Sequence, residues 1–213
     1  MELIGETTRP ADGVACFNRM YLEVTRQVGH RLGKGFFADP DFMTRLDVTF
    51  ANLYFSALDA ARSPETVPLA WRPLVEQRAN ATIEPIQFAL AGMNAHINHD
   101  LPLAVVSTCT ELATTPIAGA HHTDFQKVDQ LLDVAEQSVR QSFESAAERD
   151  VDSRVEAVAD LVANWAINTA RDLAWANALL LWDLRDDPAA HAAFVDGLAA
   201  TAAEASRMLL VTV

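Results

Sequence analysis

Residues 85–100 read PIQFALAGMNAHINHD, and the fifteen residues between Glu84 and Asp100 include no Lys, Arg, Asp or Glu. The same stretch places Gln87, Asn94, His96, Asn98 and His99. A surface helix carries charges, and an inert core helix carries few groups that need hydrogen-bond partners. This stretch is neither. It predicts a helix buried in the protein whose polar side chains find partners inside, because an unpaired buried polar group costs about 1–3 kcal/mol. The fold should wrap around this helix, and a site should lie along it.

Ile86, Leu90, Met93 and Ile97 fall on one stripe of that helix and read as core. Ala89, Gly92, His96 and His99 form the neighbouring stripe, with Asp100 four residues after His96. Residues three and four apart share a face, so His96, His99 and Asp100 can converge. Ala89 and Gly92 remove bulk one turn earlier, leaving room for a ligand or a close helix. Histidine with aspartate at this spacing suits an acid–base pair or a divalent metal. The competing reading is structural: His96 caps a buried network, while His99 and Asp100 satisfy a helix end.

Outward from this helix, half of the 213 residues are apolar, and nothing in the length forces a second domain. Residues 1–213 read as one helical domain, with 1–14 an irregular arm. A net charge of −13 argues against nucleic acid and anionic membranes as partners, and favours neutral or cationic small molecules or a metal cation. The start, MELIGETTRPADG, has neither the basic region nor the apolar run of a signal peptide. No apolar run approaches a membrane span. Cys16 and Cys109 stand far apart, without metal spacing, and read as small core residues of a reduced, cytoplasmic protein.

Periodicity is helical throughout, with no persistent β-alternation. It predicts an all-α bundle of six to eight helices. One helix runs from about Ala15 to Leu32 and closes at Gly33-Lys34-Gly35; a second opens at Asp39-Pro40. Residues 63–85, with four prolines, read as a loop holding one short helix. The polar helix should break near Leu101-Pro102 and a short helix follow to Leu112. Thr123 and Gln126 suggest a capping box, opening an amphipathic helix through Phe125, Val128, Leu132, Ala135, Val139 and Phe143. Residues 150–183 read as the longest helix, and Pro188 to about Leu210 as the last.

Two further helices carry isolated polar groups. Asp47 shares a stripe with Ala51, Tyr54 and Leu58 and is the only charge from Leu46 to Leu58. Such a carboxylate needs a cation, a metal or several donors, and Arg45 or another Arg is the plain alternative. On the long helix Asp172 falls on the stripe Val158, Val162, Trp165, Thr169, Ala176 and Leu179. Asn164, Asn168, Arg171, Trp175 and Trp182 run beside it. They read either as a pocket wall or as an Arg–Asp network joining helices. His121 and His122 read as a solvated loop.

RLDVTFANLYF (45–55), AWRPL (70–74), FALAGMNAHINHDLPLA (88–104) and RDLAWANA (171–178) resemble a mainly actinobacterial domain-of-unknown-function family. The likeness runs from about residue 17 to 185. It implies a helical, single-domain protein that shares Asp47, Asn52, Asn94, His96, Asn98, Asp100, Arg171, Asp172, Trp175 and Asn177. No reaction comes with it.

These readings converge on an enzyme acting on a small apolar or cationic metabolite between helices. His96, Asp100, Asp47 and Asp172 would do acid–base work in hydrolysis, elimination, isomerisation or cyclisation. Asn94, Asn98, Arg171, Trp175 and Tyr54 would bind substrate. A metal-assisted variant would use His96, His99 and Asp47 as ligands; no organic-cofactor motif is present. The alternative is a non-catalytic helical module that binds a metabolite or a protein partner.

Overall fold

The computed structural model describes residues 1–9, 12–61, 66–132 and 167–211, and among them regular structure is helical, with no strand. The elements are α1 (Glu2–Thr7), α2 (Gly13–Arg31), α3 (Pro40–Ala60), a 3-10 turn (Leu69–Trp71), α4 (Arg72–Gln77) and α5 (Pro85–Ala95). A π-turn (His96–Asp100) leads into α6 (Leu101–Glu111), followed by α7 (His121–Lys127), α8 (described over Ile167–Asp183) and α9 (Pro188–Leu209). The arm expected to be irregular thus holds a helical turn and a half in α1. The starts of the other helices follow local chemistry. Asp12, Asp39 and Asp187 each accept a backbone N–H of their helix's first turn, the latter two ahead of a proline. Glu84 and Gln87 form a reciprocal capping box for α5.

The polar stretch is the centre of the bundle. Every residue from Ile86 to Asp100 is buried except Asn98, which is partly so. α2 and α9 pack against α5, while α3 and α8 pack against α6. The expected break at Leu101-Pro102 does not occur. Pro102 has no N–H to give the Asn98 carbonyl, and its ring would strike that carbonyl in an α-helix. The chain instead widens by one residue, Leu101 N–H donating to the His96 carbonyl, and continues as α6. The widened turn carries both histidines and Asp100.

Several boundaries differ from expectation. α7 starts at His121, two residues before Thr123, so the threonine lies inside the helix and caps nothing. The helix resumes at Asp129 after a turn at Val128. Ala135, Val139, Phe143, Val158, Val162, Asn164 and Trp165 lie outside the described residues.

The bulk removed at Gly92 makes room for a helix. A Cβ on Gly92 would sit inside the Phe17 ring contact from α2, and a Cβ on Gly13 of α2 would collide with Phe88 of α5. The two helices therefore exchange a phenylalanine for a glycine at each end of their crossing, which brings their axes close and sets Phe17 beside His96. Gly92→Ala must displace Phe17, and overpacking of this kind costs about 1–3 kcal/mol. Urea denaturation should show that loss; wild-type stability would mean that Phe17 is free to move aside.

Candidate active site

Asp100 is 3% exposed and accepts three hydrogen bonds. Trp71 Nε1 donates to Oδ2 at 2.9 Å, His96 Nδ1 to Oδ2 at 2.9 Å and His99 Nδ1 to Oδ1 at 2.7 Å. Burial alone would raise its pKa, but the bonds from the two histidines win and hold the carboxyl below its ordinary value. Asp100 is therefore the anion of the cluster. Burial pushes His96 the other way, below the ordinary histidine value and against the pull of Asp100, so the imidazole is neutral at neutral pH. With its one proton on Nδ1, facing the carboxylate, Nε2 is left as a lone-pair acceptor. This buried Nε2 has no hydrogen-bond partner among the described residues.

The His96 ring is set by aromatic neighbours. Phe50 of α3 stacks on it with centroids 3.5 Å apart, and Tyr21 of α2 meets it edge-on at 4.6 Å. Phe17 and Trp71 each lie 5.8 Å away. His96 also lines a cavity of about 110 Å³, whose walls come from α2, α3, α5, α6, α7 and α8 and are almost wholly carbon. A dry engineered cavity of roughly 150 Å³ accepts benzene, so this space suits a single small ring or a short branched chain.

Among the described residues three other polar side chains line that cavity, Tyr21, Asp47 and Arg171, besides Thr25, whose hydroxyl is bonded to the Tyr21 carbonyl at 2.9 Å. The Tyr21 hydroxyl is buried and unpartnered among the described residues. Burial first, then the charges of Asp47 and Asp100, push its pKa up against the smaller opposing pull of the neighbouring Thr25 hydroxyl, so it keeps its proton. Asp47 has no ion pair or hydrogen bond among the described residues; Arg45, its expected alternative partner, pairs with Glu111 at 3.2 Å. Burial raises the Asp47 carboxyl from its ordinary 3.8 to about 6.

Arg171 is already committed. Its Nε donates to Asp129 at 2.5 Å, one Nη donates to the Phe125 carbonyl at 2.7 Å, and the guanidinium lies over the Phe125 ring. The Arg–acid network read from the sequence exists, but its acid is Asp129. Asp172 is exposed, because α8 buries Ile167, Arg171, Ala174, Trp175, Ala178 and Leu181 instead of the expected stripe. Asp172 therefore leaves the site. Trp175 is buried against His122 and Phe125.

Most of the expected substrate-binding residues are structural. Asn94 donates to the Ala202 carbonyl at 2.7 Å and to Ser206 Oγ at 2.9 Å, tying α5 to α9, and its own oxygen accepts from Asn98. Tyr54 packs on Phe17 and Trp71, donates to Asn18 at 3.3 Å and stands outside the cavity wall. The proposed metal set His96, His99 and Asp47 does not assemble. Both imidazoles turn Nδ1 to Asp100, and no three His, Cys, Asp or Glu among the described residues could hold an ion together. His121 is buried rather than solvated: it bonds Asp39 and the Thr115 carbonyl and stacks on Phe42. Sequence reasoning missed Trp71, Tyr21 and Phe50. Phe17 and Tyr21 do sit four apart on α2, the spacing of one helix face.

The chain belongs to a family of unknown function, DUF5995, which matches residues 1–212. The match extends past both ends of the stretch, from about 17 to 185, that carries the resemblance. No curated protein and no solved structure matches the chain. No described helix is long and apolar enough to cross a membrane.

The raised pKa of Asp47 makes it a cost to folding with a definite pH range. Below the unfolded value of 3.8 the group is protonated in both states and costs nothing. As pH rises from about 4 through about 6 the unfolded chain ionises first, so the native state loses up to ~3 kcal/mol and the loss persists above. Asp47→Asn should therefore match wild type near pH 4 and exceed it at pH 7.5. Denaturant melts at the two pH values check this, and equal stability at pH 7.5 would show that Asp47 is solvated or paired.

Proposed function

We propose that this protein is an enzyme that moves protons on a small, largely apolar molecule held in the interhelical cavity. The observation that carries this reading is His96: oriented by a buried carboxylate, neutral, left with a buried and unpartnered Nε2, and lining a carbon-walled cavity. A positioned base with a lone pair and no internal partner is what a proton abstraction requires. Asp100 fixes the tautomer and stabilises the imidazolium when the proton arrives. Tyr21, protonated and unpartnered at the same wall, is the donor able to return a proton or to bond an oxygen that gains charge. The dry wall favours isomerisation, elimination or cyclisation over hydrolysis, which needs a positioned water.

The stacking of His96 on Phe50 favours a second reading, a binding module in which His96 is a packing residue. The two separate at His96→Gln. For an enzyme, the variant should melt close to wild type and lose about 10²-fold or more in turnover. Turnover here means consumption, read by mass spectrometry, of a compound found by incubating the protein with a library of small apolar metabolites. For a packing residue it should unfold, or bind its ligand with no wild-type turnover to lose. A folded variant with wild-type turnover removes His96 as the base.

A further inference from the structure

The polar groups that the cavity offers are unbalanced, and the imbalance selects a ligand. We propose that the molecule bound there is an apolar ammonium: a small hydrocarbon body with a protonated amine that is seated against Asp47. The inference rests on the cavity being the substrate site and names the class of substrate.

Two of the available groups are acceptors: the partly exposed Asp47, which makes no ion pair or hydrogen bond among the described residues, and the buried, unpartnered Nε2 of neutral His96. The Tyr21 hydroxyl is the free donor, and it can also accept. The one cation among the described residues of the wall, Arg171, is spent on Asp129 and the Phe125 carbonyl. A carboxylate or phosphate ligand would thus meet no free cation and would lie beside Asp47. An ammonium meets an unpaired carboxylate, and its remaining N–H groups find acceptors. The rings of Tyr21 and Phe50 line the same cavity and favour a cation over their faces. The desolvation of the partly buried Asp47, which no donor or cation among the described residues offsets, is offset once a cation docks there. The net charge of −13 draws cations toward the molecule as a whole.

Three probes with one ring and different head groups test this: benzylammonium, benzyl alcohol and benzoate, titrated into the full-length protein at pH 7.5 by calorimetry and ¹⁵N-resolved NMR. Benzylammonium should bind at least ~10-fold tighter than benzyl alcohol, a difference of about 1.4 kcal/mol. Benzoate should not bind, and the shifts should centre on Asp47, Tyr21 and Phe50. Asp47→Asn should bring ammonium and alcohol to within about twofold of each other. Equal or tighter alcohol binding, benzoate binding, no binding by any probe, or a preference that survives in Asp47→Asn would each overturn the proposal. The wild-type comparison stands on its own if the variant does not fold. His96→Gln should keep the ammonium preference while losing turnover. Loss of turnover without any ammonium preference therefore ends this inference alone, whereas the preference with unchanged turnover ends the acid–base reading.

Discussion

A carboxylate sealed among helices is costly unless donors surround it, and the described part of this bundle is arranged around one that is surrounded. Asp100 takes its bonds from Trp71, His96 and His99. They come from two parts of the chain, the short turn before α4 and the π-turn in the central helix. Each satisfied donor is itself buried or nearly so, which means that removing the anion would strand all three. The arrangement also decides chemistry. By accepting the Nδ1 proton, Asp100 leaves the lone pair of His96 on Nε2, so the group that stabilises the cluster also sets the tautomer. The π-turn is part of the same constraint. Pro102 disallows the narrower helix, and the extra residue is what places both histidines and the carboxylate in one widened turn.

Polar residues on the central helix divide by depth along it. Gln87 donates to the Leu209 and Val211 carbonyls at 2.7 and 2.9 Å, at the C-terminal end of α9 where helix carbonyls lack internal partners. Asn94 donates to the Ala202 carbonyl and the Ser206 hydroxyl, further back along α9. These amides fix how the last helix docks, and nothing about them requires a ligand. Two residues further along, His96 spends Nδ1 on Asp100 and leaves its other nitrogen over.

The charge gap from 85 to 99 was enough to read the buried helix, because only tertiary burial explains apolar and uncharged polar residues on every side. Helix starts at Asp39-Pro40 and Pro188 were legible for a local reason, the capping acid beside a proline. The Asp172 assignment failed because a stripe of small and apolar residues has two possible registers on one helix, and a buried Arg171 shifts the register by one residue. Trp71 could not be assigned, since its role depends on a chain crossing that spacing along the sequence does not encode. Asn94 and Asn98 were visible as buried amides, but which amides bind helices and which bind ligands is decided only by where α9 lies. The π-turn was half legible: Pro102 announced a disturbance, while burial on all sides determined that the helix would bulge and not end.

Arg171 and Asp47 make the closing contrast, since both are charges facing one apolar cavity. Arg171 is held by an acid, a carbonyl and an aromatic face, so the energetics of the fold account for it completely. Asp47 has none of these, although Arg45 is two residues away and Glu111 takes it instead. Packing alone would favour an apolar residue at that position, because the surrounding wall is hydrocarbon and the carboxylate weakens the native state at neutral pH. Asp47 thus opposes folding at neutral pH while it lines a cavity that His96, with its unpartnered Nε2, also lines. Stability and site chemistry pull in opposite directions at this one partly exposed side chain, and a cation of the kind proposed above would relieve the cost.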